Sequence, residues 1–135
     1  MITNKEKLIE QCTDILHEEN QLCILTSISN TGYPFSAVIK PAGGIAIETI
    51  YFILQNNTTI VTNFEKNSKG SIIFYKGDDS VHLIGEVAVI SSKTPCEDEI
   101  DEHFLGDVAE EDVLLKFIAH EAHINIDEQY YTLQM

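Results

Sequence analysis

Three stretches of this sequence carry side chains that could bind or react. Gln55-Asn56-Asn57-Thr58-Thr59 closes an apolar run and opens a helical pattern, so unpaired N–H groups and two hydroxyls meet at a helix start, the makings of an anion site. His120-Glu121-Ala122-His123 sets two imidazoles three residues apart in a strand-like run. A zinc-binding helix needs them four apart on one face, and strand positions three apart point to opposite faces, so no metal site is expected and an interface or solvated role is. His82 falls on the mixed face of a long strand, where a rim residue is expected. No Ser–His–Asp or Cys–His arrangement follows from the spacing, and no catalytic residue is assigned.

The chain must position these groups with one core, because 135 residues at 44% hydrophobic content suit a single domain spanning 1–135. Eight lysines, no arginine and 22 acidic residues give a formal charge of −14, which repels nucleic acid phosphates and anionic membrane surfaces. With no arginine, phosphate recognition falls to lysine, hydroxyls, histidine and backbone N–H groups. No apolar run is long enough to cross a bilayer and the N-terminus is polar, so a cytoplasmic protein is expected. Cys12, Cys23 and Cys96 are odd in number and widely spaced, hence read as reduced, the first two in the core.

The organising element is Ser71–Ser92. Ser71-Ile72-Ile73-Phe74-Tyr75, the turn residues Gly77-Asp78-Asp79, and Val81 to Ile90 read as a long hairpin. Val81, Leu83, Val87 and Val89 share an apolar face, and Gly85 among them predicts a bulge that curls the sheet. Thr3-Asn4-Lys5-Glu6 has capping-box form ahead of Leu8, Cys12, Ile15 and Leu16, predicting a helix to about Glu18. Leu22–Ser29 and Phe35–Lys40 are strands joined at Asn30-Thr31-Gly32-Tyr33-Pro34. Ala42–Glu48 reads as a connection. Ile50-Tyr51-Phe52-Ile53-Leu54 lacks a polar face, which implies burial on both sides. A helix follows with Ile60, Val61 and Phe64 inward and Gly70 as its left-handed stop. Thr94-Pro95-Cys96-Glu97 opens a third helix with an acidic solvated face, and Val113–Ile118 is a strand continued by His120–Ile126, with Tyr130–Leu133 a closing segment, two or three strands in all. The order predicts a mainly β (α+β) antiparallel barrel with helices at its margins.

From about Leu8 to Ser92 the sequence resembles the flavin-binding split β-barrel family that includes pyridoxamine 5′-phosphate oxidase and related general stress proteins. The likeness rests on the strand–Gly32-Tyr33-Pro34–strand unit and on Ile50–Leu54 leading to Phe64-Glu65-Lys66-Asn67-Ser68-Lys69. It continues in Ser71–Tyr75 followed by Leu83-Ile84-Gly85-Glu86-Val87. The resemblance implies a Greek-key split barrel, a homodimer, and FMN in a groove at the subunit interface, with a small-molecule substrate. It places Lys40 and Thr58, with Asn57 and Thr59 beside it, at the FMN phosphate. The basic pair expected next falls on Thr59 and Ile60, and an expected arginine falls among Phe35, Ser36 and Ala37. Each charge-assisted contact contributes about 1.5–3 kcal/mol, so losing two weakens binding roughly a hundredfold or more. The same lack of cations argues against true pyridoxamine 5′-phosphate oxidase activity. The competing expectation is a non-catalytic dimer that has lost the phosphate grip and binds another ligand, such as haem through His120 or His123, or a protein partner through its acidic 97–112 region.

Overall fold

The helical spacing of Leu8, Cys12, Ile15 and Leu16 becomes the buried stripe of α1 (Asn4–Leu16), in a computed structural model that describes residues 4–90 and 112–135. The expected cap at Thr3 and the third helix from Thr94, with its acidic face, lie outside the described residues. β1 (Cys23–Ile28) and β2 (Pro34–Ile39) form the first hairpin, in register from Cys23 opposite Ile39 to Ile28 opposite Pro34. Gly43–Ala46 is a short strand, β3, paired with β4 (Thr49–Gln55). This corrects the reading of Ala42–Glu48 as a plain connection: the backbone of Gly43 pairs with Tyr51, and Ala42 N–H donates to Tyr51 O at 2.7 Å. β4 is buried on both sides as expected, with Ile50 and Phe52 in the main core and Tyr51 joining Leu114 in a second small cluster.

α2 (Thr59–Lys66) buries Ile60, Val61, Asn63 and Phe64. Its end is Asn67 and not Gly70, which is the second residue of β5 (Lys69–Lys76) and has no positive φ. Gly70 is needed for closeness instead: a Cβ there would lie 2.7 Å from the Phe64 ring and 2.9 Å from Thr26 O. β5 and β6 (Asp79–Ile90) make the long hairpin around a two-residue turn, Gly77-Asp78, with Lys76 opposite Asp79. β7 (Asp112–Ile126) carries Val113–Ile118 on into His120–Ile126 as one strand, and β8 (Gln129–Gln134) folds back beside its second half.

All pairings are antiparallel, in the order β2-β1-β5-β6-β7-β4-β3. The sheet curls around a core in which Phe52, Phe74 and Phe117 are fully buried with Leu25, Ile72 and Leu83. Each such side chain contributes roughly 1.5–3 kcal/mol. α1 lies against β3 and β5, and α2 against β1, β2 and β6. Inside, the buried Asn63 and Ser27 are linked: Asn63 Nδ2 donates to Ser27 Oγ at 3.0 Å and Ser27 Oγ donates to Phe35 O at 3.3 Å.

The bulge foreseen at Gly85 falls opposite it. Ile84 pairs with Glu121 and Gly85 with Ala119, so the extra residue is His120 in β7. Gly85 makes this possible because a Cβ there would stand 2.0 Å from Ile118 O. Gly85→Ala is expected to lower unfolding free energy by about 3 kcal/mol or more, measured by urea denaturation; a loss under about 1 kcal/mol, the level of an ordinary surface change, would show that the backbone gives way.

Candidate functional site

A strand pattern sends alternate residues to opposite faces, and here, among the described residues, the inner set fills the core while the outer set meets no helix. The outer rows can be followed through the register. Lys69, Glu86 and Ile118 form one row, Ser36, Thr26, Ser71, Ile84 and Glu121 the next, and Val38, Ile24, Ile73, His82 and His123 the third. A groove of about 710 Å³ lies across these rows, with Thr26, Ser71, Lys69, Ile84, His82 and His120 among its lining residues. That is ample for a small organic ligand, since such clefts run to roughly 300–1,000 Å³.

His120 reaches the groove through the bulge. In an unbroken strand it would oppose His123, as the sequence reading assumed; the extra residue breaks the alternation, and both imidazoles stand on the outer face. His120 Nε2 meets Glu86 Oε2 at 3.1 Å, and the same carboxyl group accepts from Ser68 Oγ at 3.3 Å through Oε1. His123 Nε2 lies 2.8 Å from Glu121 Oε2, and its ring is 6.0 Å from that of His82. No group of three or more metal-binding side chains comes together among the described residues.

The residues expected at a phosphate fall into two places. Asn57, Thr58 and Thr59 stand together at the start of α2. Thr58 is the N-cap residue, but its hydroxyl makes no cap bond and donates to Gln55 O at 3.0 Å. Ile60, where the resemblance calls for a cation, is 3% exposed and packs in the core, so α2 offers N–H groups and hydroxyls only. Lys40 is exposed just past β2. It is tied near the start of β4 through Ala42 and Tyr51, whereas α2 is tied to the end of β4 through Thr58 N–H and Gln55 O. Tyr51 and Gln55 are four residues apart, about 13 Å of extended chain.

Tyr51 is buried, with Lys116 Nζ 5.9 Å from its ring centre, while Tyr33 and Tyr75 are exposed. Cys12 and Cys23 are free and buried, and burial pushes both thiols up to about 12, which keeps them protonated and unreactive at neutral pH. Lys69, Ser71, Thr26 and Glu86 were not singled out in the sequence, because outward polar residues of a strand look like any solvated face.

These features define a split β-barrel: a curled antiparallel sheet with a helix placed between β4 and β5 in chain order. The chain has the fold of the general stress protein 26 and pyridoxamine phosphate oxidase-like proteins. A Clostridium acetobutylicum protein related to general stress protein 26, of the pyridoxinephosphate oxidase family, superposes with a TM-score of 0.78 at 16% identity, over 98% of this chain and 97% of that one. General stress protein 26 from Bacillus anthracis gives 0.74 at 17% identity, over 95% and 98%. A pyridoxamine 5′-phosphate oxidase-related, FMN-binding protein from Nostoc punctiforme gives 0.68 at 10% identity, over 98% and 97%. No protein-family model matches the chain, and no curated protein does.

Burial holds His82 below the ordinary imidazole range, with His123 adding to the effect and Glu121 opposing it. Hydrogen bonds from His123 and Gln134 hold Glu121 below the ordinary carboxyl range. The unfolded chain therefore takes up protons more readily than the fold at both sites, and stability present above about pH 6.5 falls as His82's unfolded form begins to titrate. His82→Gln is expected to narrow the gap in melting temperature between about pH 7.5 and about pH 5.5; an unchanged gap would clear His82 of any part in acid sensitivity.

Proposed function

We propose that this chain is an FMN-binding oxidoreductase of the pyridoxamine 5′-phosphate oxidase-like, general-stress-protein type, working as a homodimer with the flavin between subunits. The observation that carries this reading is the fold, matched nearly end to end by a flavin-binding protein. Asn57, Thr58 and Thr59 offer the phosphate backbone N–H groups and hydroxyls, and Lys40 adds a charge-assisted contact to it. Bound FMN supplies hydride transfer; the chain's residues supply position and local charge. With Ile60 in the place of a cation, the grip is weak, and a Kd in the micromolar range is expected, about −8 kcal/mol. Buried free thiols at Cys12 and Cys23 support a reducing, cytoplasmic setting. The substrate is a small molecule, and its recognition without arginine sets it apart from pyridoxamine 5′-phosphate.

A second reading is favoured by one observation: the bulge aims His120 at an apolar groove, as an axial haem ligand would require. In that reading the barrel is a non-catalytic dimer. The visible spectrum of freshly purified protein separates flavin, haem and neither. FMN titration is expected to saturate, and Lys40→Ala and Thr58→Val with Thr59→Val are each expected to weaken uptake about tenfold. A colourless protein with no saturable uptake at tens of micromolar FMN would remove the flavin reading.

A further inference from the structure

We propose that the groove on the outer face is a second binding site, distinct from the residues assigned to flavin, and that it takes a flat apolar molecule carrying one anionic group. None of its lining residues is Lys40, Asn57, Thr58 or Thr59. The four strands beneath it, β1, β5, β6 and β7, span about 14 Å at the usual strand spacing, so the floor is a sheet face and favours a planar occupant. Its walls are mostly carbon. Ile84 and, just beyond the groove, Ile118 in the row of Lys69 and Glu86 are 39% and 41% exposed, an apolar surface that gains from being covered.

The polar groups are arranged by side. The β1–β5 wall offers the hydroxyls of Thr26 and Ser71 and the ammonium of Lys69; the β6–β7 wall offers His82, His120 and Glu86. Lys69 stands opposite Glu86 in the register, yet that carboxylate is engaged by His120 and Ser68. The ion pairs among the described residues involve Lys76, His120 and His123, and none reaches Lys69. The Thr26 hydroxyl already meets Ser36 Oγ at 2.8 Å, so in a chain of formal charge −14 it is Lys69, without a carboxylate partner, and the Ser71 hydroxyl beside it that form a donor pair awaiting an acceptor. A carboxylate or sulfonate on the ligand would meet Lys69 and Ser71, with the ring system lying over Ile84 toward the imidazoles.

Two fluorescent probes test this. 8-Anilino-1-naphthalenesulfonate and N-phenyl-1-naphthylamine share a ring system and differ in the sulfonate. The sulfonate probe is expected to bind more tightly, and Lys69→Gln to weaken it about tenfold while sparing the neutral probe. Lys69→Arg should retain the preference, and Ile84→Asp, at an exposed position, should remove both probes with the circular dichroism unchanged. Saturating FMN, followed separately by its own absorbance, should leave the sulfonate probe bound. The proposal falls if the two probes bind equally, if neither binds, or if Lys69→Gln changes nothing. It also falls if FMN displaces the probe, which would make the groove part of the flavin site; failure to bind FMN would bear on the flavin reading alone.

Discussion

The outer face of this barrel depends on one backbone event, the point where β7 changes partners. One edge of β7 is taken by β4 up to Ile118 and by β8 from Glu121 onward. Between them, Ala119 N–H donates to Glu48 O and His120 C=O accepts from Met135 N–H, both at 2.9 Å. Two backbone groups at the irregularity thus keep hydrogen-bond partners, as a buried or half-buried backbone demands. On the other edge, Gly85 leaves the space that Ile118 O occupies. A bulge held on both sides turns its extra side chain outward, and that side chain is His120.

Stability and chemistry are divided between the faces of the same strands. Inward residues such as Leu83, Phe74 and Phe117 are excluded from water and are worth several times the 0.2–1 kcal/mol of a typical outward cross-strand pair. The outward residues can therefore be polar at small cost. Ile60 shows the opposite constraint: its side chain belongs to the core, so a cation at that position would have to leave it or bury its charge.

Much of the fold was legible because its signals are local. The Ser71–Ile90 hairpin declared itself by period and turn chemistry, and both described helices by their apolar stripes. The β3 strand was not legible, because Gly43 and Gly44 carry no pattern and pair only through their backbones. Gly70 was misread because a glycine after a helix resembles a stop, whereas its cause is the Phe64 ring. The bulge was read near its true place but on the wrong strand, and strict alternation then sent His120 to the wrong face. The groove was invisible for another reason: Thr26, Lys69, Ile84 and His120 are brought together by pairings across nearly the whole chain.

Among the described residues β2 ends the sheet with no strand on its far side, and Tyr33, just before it, and Phe35 and Val38 along it are exposed. Such a border is a template for another chain's backbone, the usual beginning of aggregation. The high negative charge is its safeguard: copies repel one another before their borders can meet. Concentrated salt shortens that repulsion to a few ångströms, so this protein keeps best in dilute buffer.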